Sequence, residues 1–360
     1  MMGGMHVAGM LAERLRSHRL SAPAANVLDA ASHMLATQAQ EFWGGRWALA
    51  ARTRGAPTMR DVDAAFDAGE LVRSWTQRGT IHALRPADLG WVLSLTGDRQ
   101  HRQAGSRHRT LGLDDATLRR AENAVVHALR GGNRLTRAEM FTILRDIGID
   151  PKDQRGVHVL YALAVRGLVC LGPVVPRDGG PTREQYVVLN DEWIQDAAHP
   201  ADALVEFFVR YIDGHGPASP ADFAWWSGLP IGTARRAAEA SGDRLDAVEV
   251  DGQTLFMAAQ RPRRSAHSPE VLALPPFEEY FLSYADRTMA CPPEFVSTIA
   301  QGGMMRAVLV ARGEVVGVWT HSLAVGRHAG DPVPELFTPG AASETEISDA
   351  LERYRAFVTG

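Results

Sequence analysis

An α+β fold is predicted for this 360-residue chain, in which tandem winged-helix (helix-turn-helix) modules are followed by a C-terminal β-rich domain. Three observations predict it. Helices followed by a β-hairpin occur three times in the same order, the predicted helix starts carry capping residues, and the last quarter contains β-prone runs before one final helix. A chain of this length exceeds one hydrophobic core, so several domains are expected.

The first winged-helix module is predicted over residues 1–112. It opens with two helical segments, one carrying leucines 11, 15 and 20 at helical spacing and the other around residues 25–36. Thr58 and Asp61 are suited to cap a third helix. A predicted hairpin follows, made of Glu70–Trp75, Thr80–Leu84 and a turn that contains Gly79. Helices followed by a hairpin are the order of a winged helix, whose third helix can enter a DNA groove.

The second module, predicted over residues 113–192, has clearer signals. An amphipathic helix over Leu118–Leu129 is closed by two glycines, and Thr136 with Glu139 forms a capping box for the next helix. A third helix and two strands complete the module, and these are predicted near Gln154–Arg166, Leu168–Leu171 and Gln185–Leu189.

The third module is predicted over residues 193–262. A helix over Asp202–Tyr211 precedes Ser219 and Pro220, which supply an N-cap and a first-turn proline for the next helix. A further helix and a hairpin follow, over Ile231–Ala240, Leu245–Val250 and Thr254–Ala258. Because the same order occurs three times, a tandem array is a better interpretation than a chance match.

Residues 263–360 are predicted to form the C-terminal β-rich domain, after a linker at Arg261–Ser265. Two segments are strand-rich, Val271–Tyr284 and Arg306–Trp319. A capping box at Ser343–Glu346 starts a last helix that ends near Val358. We expect that helix to pack on the β-rich part.

The charge of the chain is divided unevenly. Residues 1–190 carry a net +7 and residues 191–360 a net −11, which together give −4. A basic N-terminal half can hold DNA phosphates while an acidic C-terminal half maintains solubility. A chance imbalance between solvated faces explains the same numbers equally well.

Several classes of chemistry have no signal in the sequence. The phosphate-binding, dinucleotide-binding, zinc-protease and serine-hydrolase motifs do not occur, and the two cysteines, Cys170 and Cys291, lack metal-ligand spacing. We therefore expect no metal and no cofactor. No apolar run is long enough to span a bilayer, and the first residues lack the pattern of a secretory signal, so the expected location is the cytoplasm.

Six stretches, read in order, carry a resemblance to a known family: Leu35–Glu41 with Gln38-Ala39-Gln40, Arg78–His82, Gly214–Pro217, Trp226–Leu229, Phe277–Tyr280 with Asp286-Arg287, and Val315–Trp319. Together they resemble the winged-helix DNA glycosylases of the AlkZ and YcaQ type, in their Gln-x-Gln form. The match extends over nearly the whole chain. That breadth makes it far more specific than the tripeptide alone.

The resemblance implies a DNA glycosylase that acts on double-stranded DNA containing alkylated bases, with Gln38 and Gln40 as catalytic residues. N7-alkylguanine and N3-alkyladenine already carry positive charge, so their release needs no strong general acid. Two amides can hold a water and direct carbonyl oxygens at an oxocarbenium-like sugar. Positions i and i+2 share one side only if this segment is extended or a turn. Without the resemblance, two solvated glutamines near a helix end would be the better interpretation.

The expected enzyme is monofunctional, because the only lysine, Lys152, is not placed to form a Schiff base with the sugar. The Gln-Gln form resembles members associated with bulky adducts and interstrand crosslinks, so a role in repair or self-resistance follows by resemblance only.

Six further residues are candidates for DNA contact: Trp43, Arg46, Arg78, His82, Arg102 and Arg107. An aromatic beside an arginine can stack on a base or contact phosphate, and arginines suit phosphate generally. Alternatives remain for each of them. Trp43 is equally suited to the core, a lone histidine on a strand is often structural, and the arginines at 102 and 107 would look the same in a solvated segment.

Two other functions remain open at this point. A winged-helix transcriptional regulator would bind DNA without catalysis, but no long heptad segment supports a dimerisation helix. An interaction scaffold would favour a first module that is not basic, whereas residues 1–120 carry a net +5. A monomer is the expected state.

Overall fold

The computed structural model describes residues 6–177, 182–250, 252–261, 263–265, 269–320 and 331–360. The chain divides into two compact units. The first unit comprises residues 1–62 and 204–360, and the second unit comprises residues 63–203. Both contain helices and antiparallel sheet, which confirms the predicted α+β class.

The N-terminal part of the first unit is mainly helical. Its elements are α1 (Val7–Ser17), α2 (Val27–Met34), the two-residue strand segment β1 (Thr37–Gln38) and α3 (Phe42–Ala51). The Asn26 side chain caps α2 by accepting from the backbone N–H of Asp29 at 2.8 Å. Helix α4 (Met59–Asp67) follows and leads into the second unit, with Thr58 and Asp61 bonded to each other at its start as predicted.

The described residues of the second unit include the end of α4, two hairpins and the helices α5 to α9. Its elements are β2 (Val72–Gln77), β3 (Thr80–Leu84), α5 (Pro86–Thr110), α6 (Asp115–Leu129), α7 (Arg137–Asp146), α8 (Arg155–Val165), β4 (Val169–Val174), β5 (Gln185–Leu189) and α9 (Asn190–Trp193). The Thr136–Glu139 capping box is present. Arg78 and Gly79 both have positive φ, at 52° and 71°, which suits a two-residue hairpin turn.

The two hairpins of the second unit belong to one sheet, in the order β3-β2-β4-β5. Arg73 on β2 pairs with Leu171 on β4, so the wings predicted for the first and second modules are joined edge to edge. Below the sheet lies a core of buried side chains from α6, α7 and α8, including Val125, Leu144 and Val159. Pairing in this way covers a strand edge that each wing alone would expose.

The rest of the first unit begins with the predicted third module. It consists of α10 (Ala203–His215), α11 (Pro220–Ser227), α12 (Ile231–Ser241), a short 3₁₀ turn (Gly242–Arg244), β6 (Leu245–Val250) and β7 (Gln253–Ala258). The predicted N-cap Ser219 forms a capping box with Asp222, and Pro220 occupies the first turn. Helix α11 ends at Ser227, and the following Gly228 has a φ of 72°, a backbone conformation that favours glycine.

The C-terminal part carries a four-stranded antiparallel sheet in the order β13-β12-β11-β8. Its elements are β8 (Val271–Leu274), α13 (Glu279–Leu282), α14 (Pro293–Ile299), β9 (Ala300–Gln301), β10 (Met304–Met305), β11 (Ala307–Ala311), β12 (Glu314–Thr320), β13 (Val333–Leu336) and α15 (Glu344–Thr359). Helix α15 begins at the predicted Ser343–Glu346 capping box.

One predicted strand segment, Val271–Tyr284, is wrong beyond Leu274. Pro275 and Pro276 follow the strand, and proline removes the N–H that a ladder needs. Glu278 then caps the short helix α13 by accepting from the backbone N–H of Tyr280 at 3.1 Å.

The four segments predicted from sequence, 1–112, 113–192, 193–262 and 263–360, describe a finer division than the two compact units and stay a prediction. Pro262, in the predicted linker, lies outside the described residues. Among the helices that the structure describes, none is long and apolar enough to cross a membrane.

Candidate active site

The Gln38-Ala39-Gln40 segment follows an abrupt end of helix α2. Leu35 has φ 61° and ψ −56°, and the N–H of Ala36 donates to the carbonyl of Met34 at 2.7 Å, which together define a γ-turn of the strained, positive-φ kind. Such backbone persists only where the surroundings over-determine it, and it is concentrated at functional sites. Leu35 is fully buried, so its packing supplies that constraint.

The segment begins in strand conformation and is packed closely on helix α3. Thr37 and Gln38 have strand conformation and Gln40 lies in a bend, so the segment is not helical, and the shared side of the two glutamines stays a prediction. A Cβ added to Gly45 of α3 would lie 2.4 Å from the Cβ of Ala39 and 2.9 Å from its Cα. Glycine at 45 and a small residue at 39 are therefore what allow this approach.

The two glutamines differ in exposure. Gln38 is 4% exposed, whereas Gln40 is exposed. The Gln38 side-chain oxygen accepts from the backbone N–H of Gln40 at 3.1 Å. An amide oxygen has two acceptor sites, so this contact leaves one for a further donor or a positive charge.

Below this segment lies a buried polar cluster to which the sequence assigns no role in the site, although three of its members belong to stretches that carry the resemblance: Arg14, His18, Arg52, His215, Glu278, Glu279 and Tyr284. Arg52 and Glu278 form an ion pair whose side chains are fully buried. Glu279 accepts from the backbone N–H of Gln38 at 2.7 Å. The sequence gives a weak signal for this cluster, namely two adjacent carboxylates shortly after a buried strand.

The hydrogen bonds of the buried polar cluster determine the state of His18. Tyr284 donates its hydroxyl proton to the His215 carbonyl at 2.6 Å, so His18 Nε2, 2.8 Å from the same hydroxyl, must be the donor there. His18 Nδ1 then accepts from Arg52 at 3.4 Å. Burial, with neighbouring His215 and Arg52, holds the pKa of His18 well below its usual value. His18 is therefore neutral here.

Trp43 and Arg46, two of the predicted DNA contacts, lie on helix α3. Trp43 is half-buried and packs against the rings of Tyr354 and Trp319, with centroids 5.7 and 6.3 Å away. Arg46 is only 1% exposed, and its guanidinium lies 4.1 Å from the centre of the Phe42 ring. In this structure both side chains contribute to packing within the first unit, and their role toward DNA stays a prediction.

The other four candidates belong to the second unit. His82 is fully buried, and its Nδ1 lies 3.0 Å from the Thr76 hydroxyl. Arg78 is half-buried in the hairpin turn. Arg102 and Arg107 are exposed on helix α5, where Arg107 donates to Gln154 at 2.9 Å. Of these four residues, only the last two are exposed, and DNA contact by all four stays a prediction.

The chemistry open to the segment follows from its side chains. An amide does not titrate near neutral pH, so neither glutamine can act as a strong general base. Both can hold a water and direct a carbonyl dipole at developing positive charge. No group of three or more His, Cys, Asp or Glu residues suited to hold a metal ion is found among the described residues.

A family model described as DNA glycosylase AlkZ-like matches residues 31–357, which include both glutamines and the buried carboxylates. The chain belongs to the AlkZ-like DNA glycosylase family. It is therefore a DNA glycosylase, and family membership sets aside the regulator and scaffold alternatives. The match begins four residues before the γ-turn at Leu35.

Two comparisons are consistent with an AlkZ-like glycosylase. An interstrand DNA cross-link repair glycosylase of Streptomyces sahachiroi is 27% identical over 316 residues, which are 81% of each chain. The solved structure of Streptomyces sahachiroi DNA glycosylase AlkZ superimposes with a TM-score of 0.77 at 22% identity, over 99% of this chain and 97% of that one. The second similarity shows that the fold is shared.

Proposed function

We propose that this AlkZ-like glycosylase is monofunctional and metal-free, and that it hydrolyses the N-glycosidic bond of a cationic alkylpurine in double-stranded DNA. The observation that carries the proposal is the Gln38-Ala39-Gln40 segment, which is packed closely against α3 and has one amide buried and the other exposed. Rigid placement of a few polar groups is what hydrolysis of an already activated bond requires.

The reaction needs little acid catalysis. In N7-alkylguanine or N3-alkyladenine the base is positively charged, so the C1′–N9 bond breaks with its electron pair moving to the base, which leaves neutral. A water oxygen forms the new bond to C1′, and its proton is released to solvent. Unmodified purines leave as poor anions and are expected to be poor substrates.

The exposure of the two glutamines suggests different tasks. Exposed Gln40 can meet the sugar or the attacking water directly. Buried Gln38 braces the segment through its contact with the Gln40 N–H and retains one acceptor site for the developing cation. Both roles are electrostatic and positional, so they add no proton-transfer step.

The proposal also covers the range of purine adducts that the enzyme accepts and its role in the cell. The relative named as an interstrand cross-link repair glycosylase supports bulky or crosslinked purines as substrates, in repair or self-resistance. The exposed arginines at 102 and 107 are suited to phosphate. We expect the protein to act as a monomer in the cytoplasm, without a cofactor.

The test is incubation with a duplex that contains one N7-alkylguanine, followed by mass spectrometry of the free base and electrophoresis of the strands. We expect free alkylated base and an abasic strand that remains intact until alkali is added. Strand cleavage without alkali would contradict the proposal that the glycosylase is monofunctional. No release from N7-alkylguanine, N3-alkyladenine or a crosslinked duplex would contradict the proposal as a whole.

A further inference from the structure

We propose that Glu279 is a positioning residue for excision, because its carboxylate fixes the backbone of the Gln38-Ala39-Gln40 segment. This inference rests on the catalytic role proposed above for the two glutamines. Glu279 is 1% exposed and 241 positions away in sequence from Gln38, yet its Oε1 lies 2.7 Å from the Gln38 backbone nitrogen. A hydrogen bond between an N–H and a carboxylate is among the stronger ones in proteins.

The carboxylate of Glu279 is itself held on its other oxygen. Oε2 accepts from the Trp226 indole N–H at 3.0 Å and from the Ser283 hydroxyl. His215 Nε2 lies 3.5 Å from the same oxygen. Donors from two different parts of the first unit thus orient Oε2, which leaves Oε1 directed at Gln38.

His215 is also held from its other ring nitrogen. Its Nδ1 lies 2.9 Å from the Tyr211 carbonyl, which can only accept, so Nδ1 carries a proton. This contact orients the ring so that Nε2 faces Oε2 of Glu279.

The strained backbone at Leu35 explains why an anchor is needed. The segment leaves α2 through the γ-turn, and its Gln38 end would relax if nothing held it. Gly45 packs on Ala39 from one side, but packing alone limits approach and does not fix direction. The Glu279 carboxylate supplies a directional contact at the Gln38 N–H. A shift of the amides by an ångström can cost about a hundredfold in rate.

The experiment compares Glu279→Ala with the wild type in three measurements: single-turnover base release, DNA affinity, and amide hydrogen exchange of the peptide containing Gln38. We expect release to slow by about 10²-fold with affinity changed less than about threefold, because Glu279 lies inside the first unit. Exchange at Gln38 should become at least about tenfold faster once the carboxylate acceptor is removed.

Tyr280→Phe is the matched control. Tyr280 is the next residue on α13, is equally buried, and donates its hydroxyl to the Gly313 carbonyl at 2.8 Å. It should lower the melting temperature while release and Gln38 exchange remain close to wild type. Equal slowing of release in both variants would show a general packing effect and overturn the positioning role.

Glu279→Gln provides a second variant if the alanine variant does not fold. Whichever way its amide lies, the NH₂ group faces a donor, either the Gln38 N–H or the Trp226 N–H. Hence release or the melting temperature must change. Fast amide hydrogen exchange at Gln38 in the wild type would directly overturn the proposal that Glu279 anchors this segment. Slow exchange with no base release from any duplex would instead contradict the catalytic proposal and leave the anchor intact.

Discussion

Among single residues, Gln40 is the glutamine with the more direct access to a substrate, since it is exposed while Gln38 is 4% exposed. Replacing Gln40 by Asp adds a negative charge where positive charge develops on the sugar. We expect Gln40→Asp to retain more single-turnover activity than Gln40→Ala, because the carboxylate stabilises an oxocarbenium ion. The two variants are a matched pair for this comparison. If Gln40→Asp releases base no faster than Gln40→Ala, Gln40 does not face the developing cation.

The side chain of His33 predicts how the free energy of unfolding depends on pH. Burial and the neighbouring Arg19 lower its pKa to about 3, while its Nε2 donates to the Ser17 carbonyl at 2.7 Å. Between about pH 6.5 and 3 the unfolded chain binds a proton that the folded protein does not, so the free energy of unfolding falls as pH falls through this window. At pH 5 the decrease is up to about 2 kcal/mol.

Urea unfolding at pH 7 and pH 5 measures this decrease. Since glutamine cannot titrate, His33→Gln should show a smaller decrease between the two pH values than the wild type. His127→Gln, on an exposed face of α6, is the control and should behave as the wild type does. Identical decreases in all three proteins would remove His33 as a source of the pH dependence.

At the scale of elements, the active segment depends on how closely α3 approaches it. A Cβ at Gly45 would contact Ala39 at 2.4 Å, whereas one at Gly44 would meet its nearest neighbour, Pro275, at an ordinary 3.4 Å. We therefore expect Gly45→Ala to displace the segment, lower the melting temperature and slow base release by more than about tenfold.

Gly44→Ala is the matched control, one residue away on the same helix. Alanine is favoured over glycine in a helix by up to about 1 kcal/mol, so this variant should be neutral or slightly stabilising and fully active. If both variants release base at the wild-type rate, the approach of α3 does not position the segment.

Elements with strong local signals could be predicted from sequence. Capping boxes at Thr136 and Ser343 and the N-cap at Ser219 start helices in the structure. Helix α5 has no strong local signal, because its 25 residues include Ser94, Gly97 and Gly105, which weaken the helical pattern. Tertiary packing stabilises this helix instead. Gly97 itself permits the close approach of α5 to α8, since a Cβ there would lie 2.3 Å from the Val165 carbonyl oxygen.

The candidate site likewise has one part that could be predicted from sequence and one part that could not. Gln38 and Gln40 could be predicted because they are close in sequence and fit a family motif. The contacts of Glu279, Arg52 and His18 could not be predicted, although Glu279 lies in a stretch that carries the resemblance, because they join positions far apart in the chain. The burial of Arg46 and His82 likewise has no signal in the local spacing.

For the whole molecule, the uneven charge predicts where DNA phosphates bind. Removing one arginine–phosphate contact should reduce the slope of log affinity against log salt concentration by roughly 0.9. We expect this for Arg102→Ala and Arg107→Ala, both exposed on α5. The control is Arg355→Ala in the acidic half, where Arg355 pairs with Asp331 and Glu352, and its slope should match the wild type. Unchanged slopes for 102 and 107 would exclude them from the DNA surface.

The central claim is that the two glutamines catalyse base release, and its most direct test is single-turnover excision of N7-alkylguanine by the wild type, Gln38→Ala and Gln40→Ala, with DNA affinity measured in parallel. We predict that each substitution slows release by about 10²- to 10³-fold, or roughly 3–4 kcal/mol, while affinity is nearly unchanged. The effect of the double variant should be smaller than the sum of the two, since Gln38 contacts the Gln40 backbone and the two glutamines act as a unit. Wild-type rates in both single variants and the double variant would contradict the claim and place the catalytic centre elsewhere.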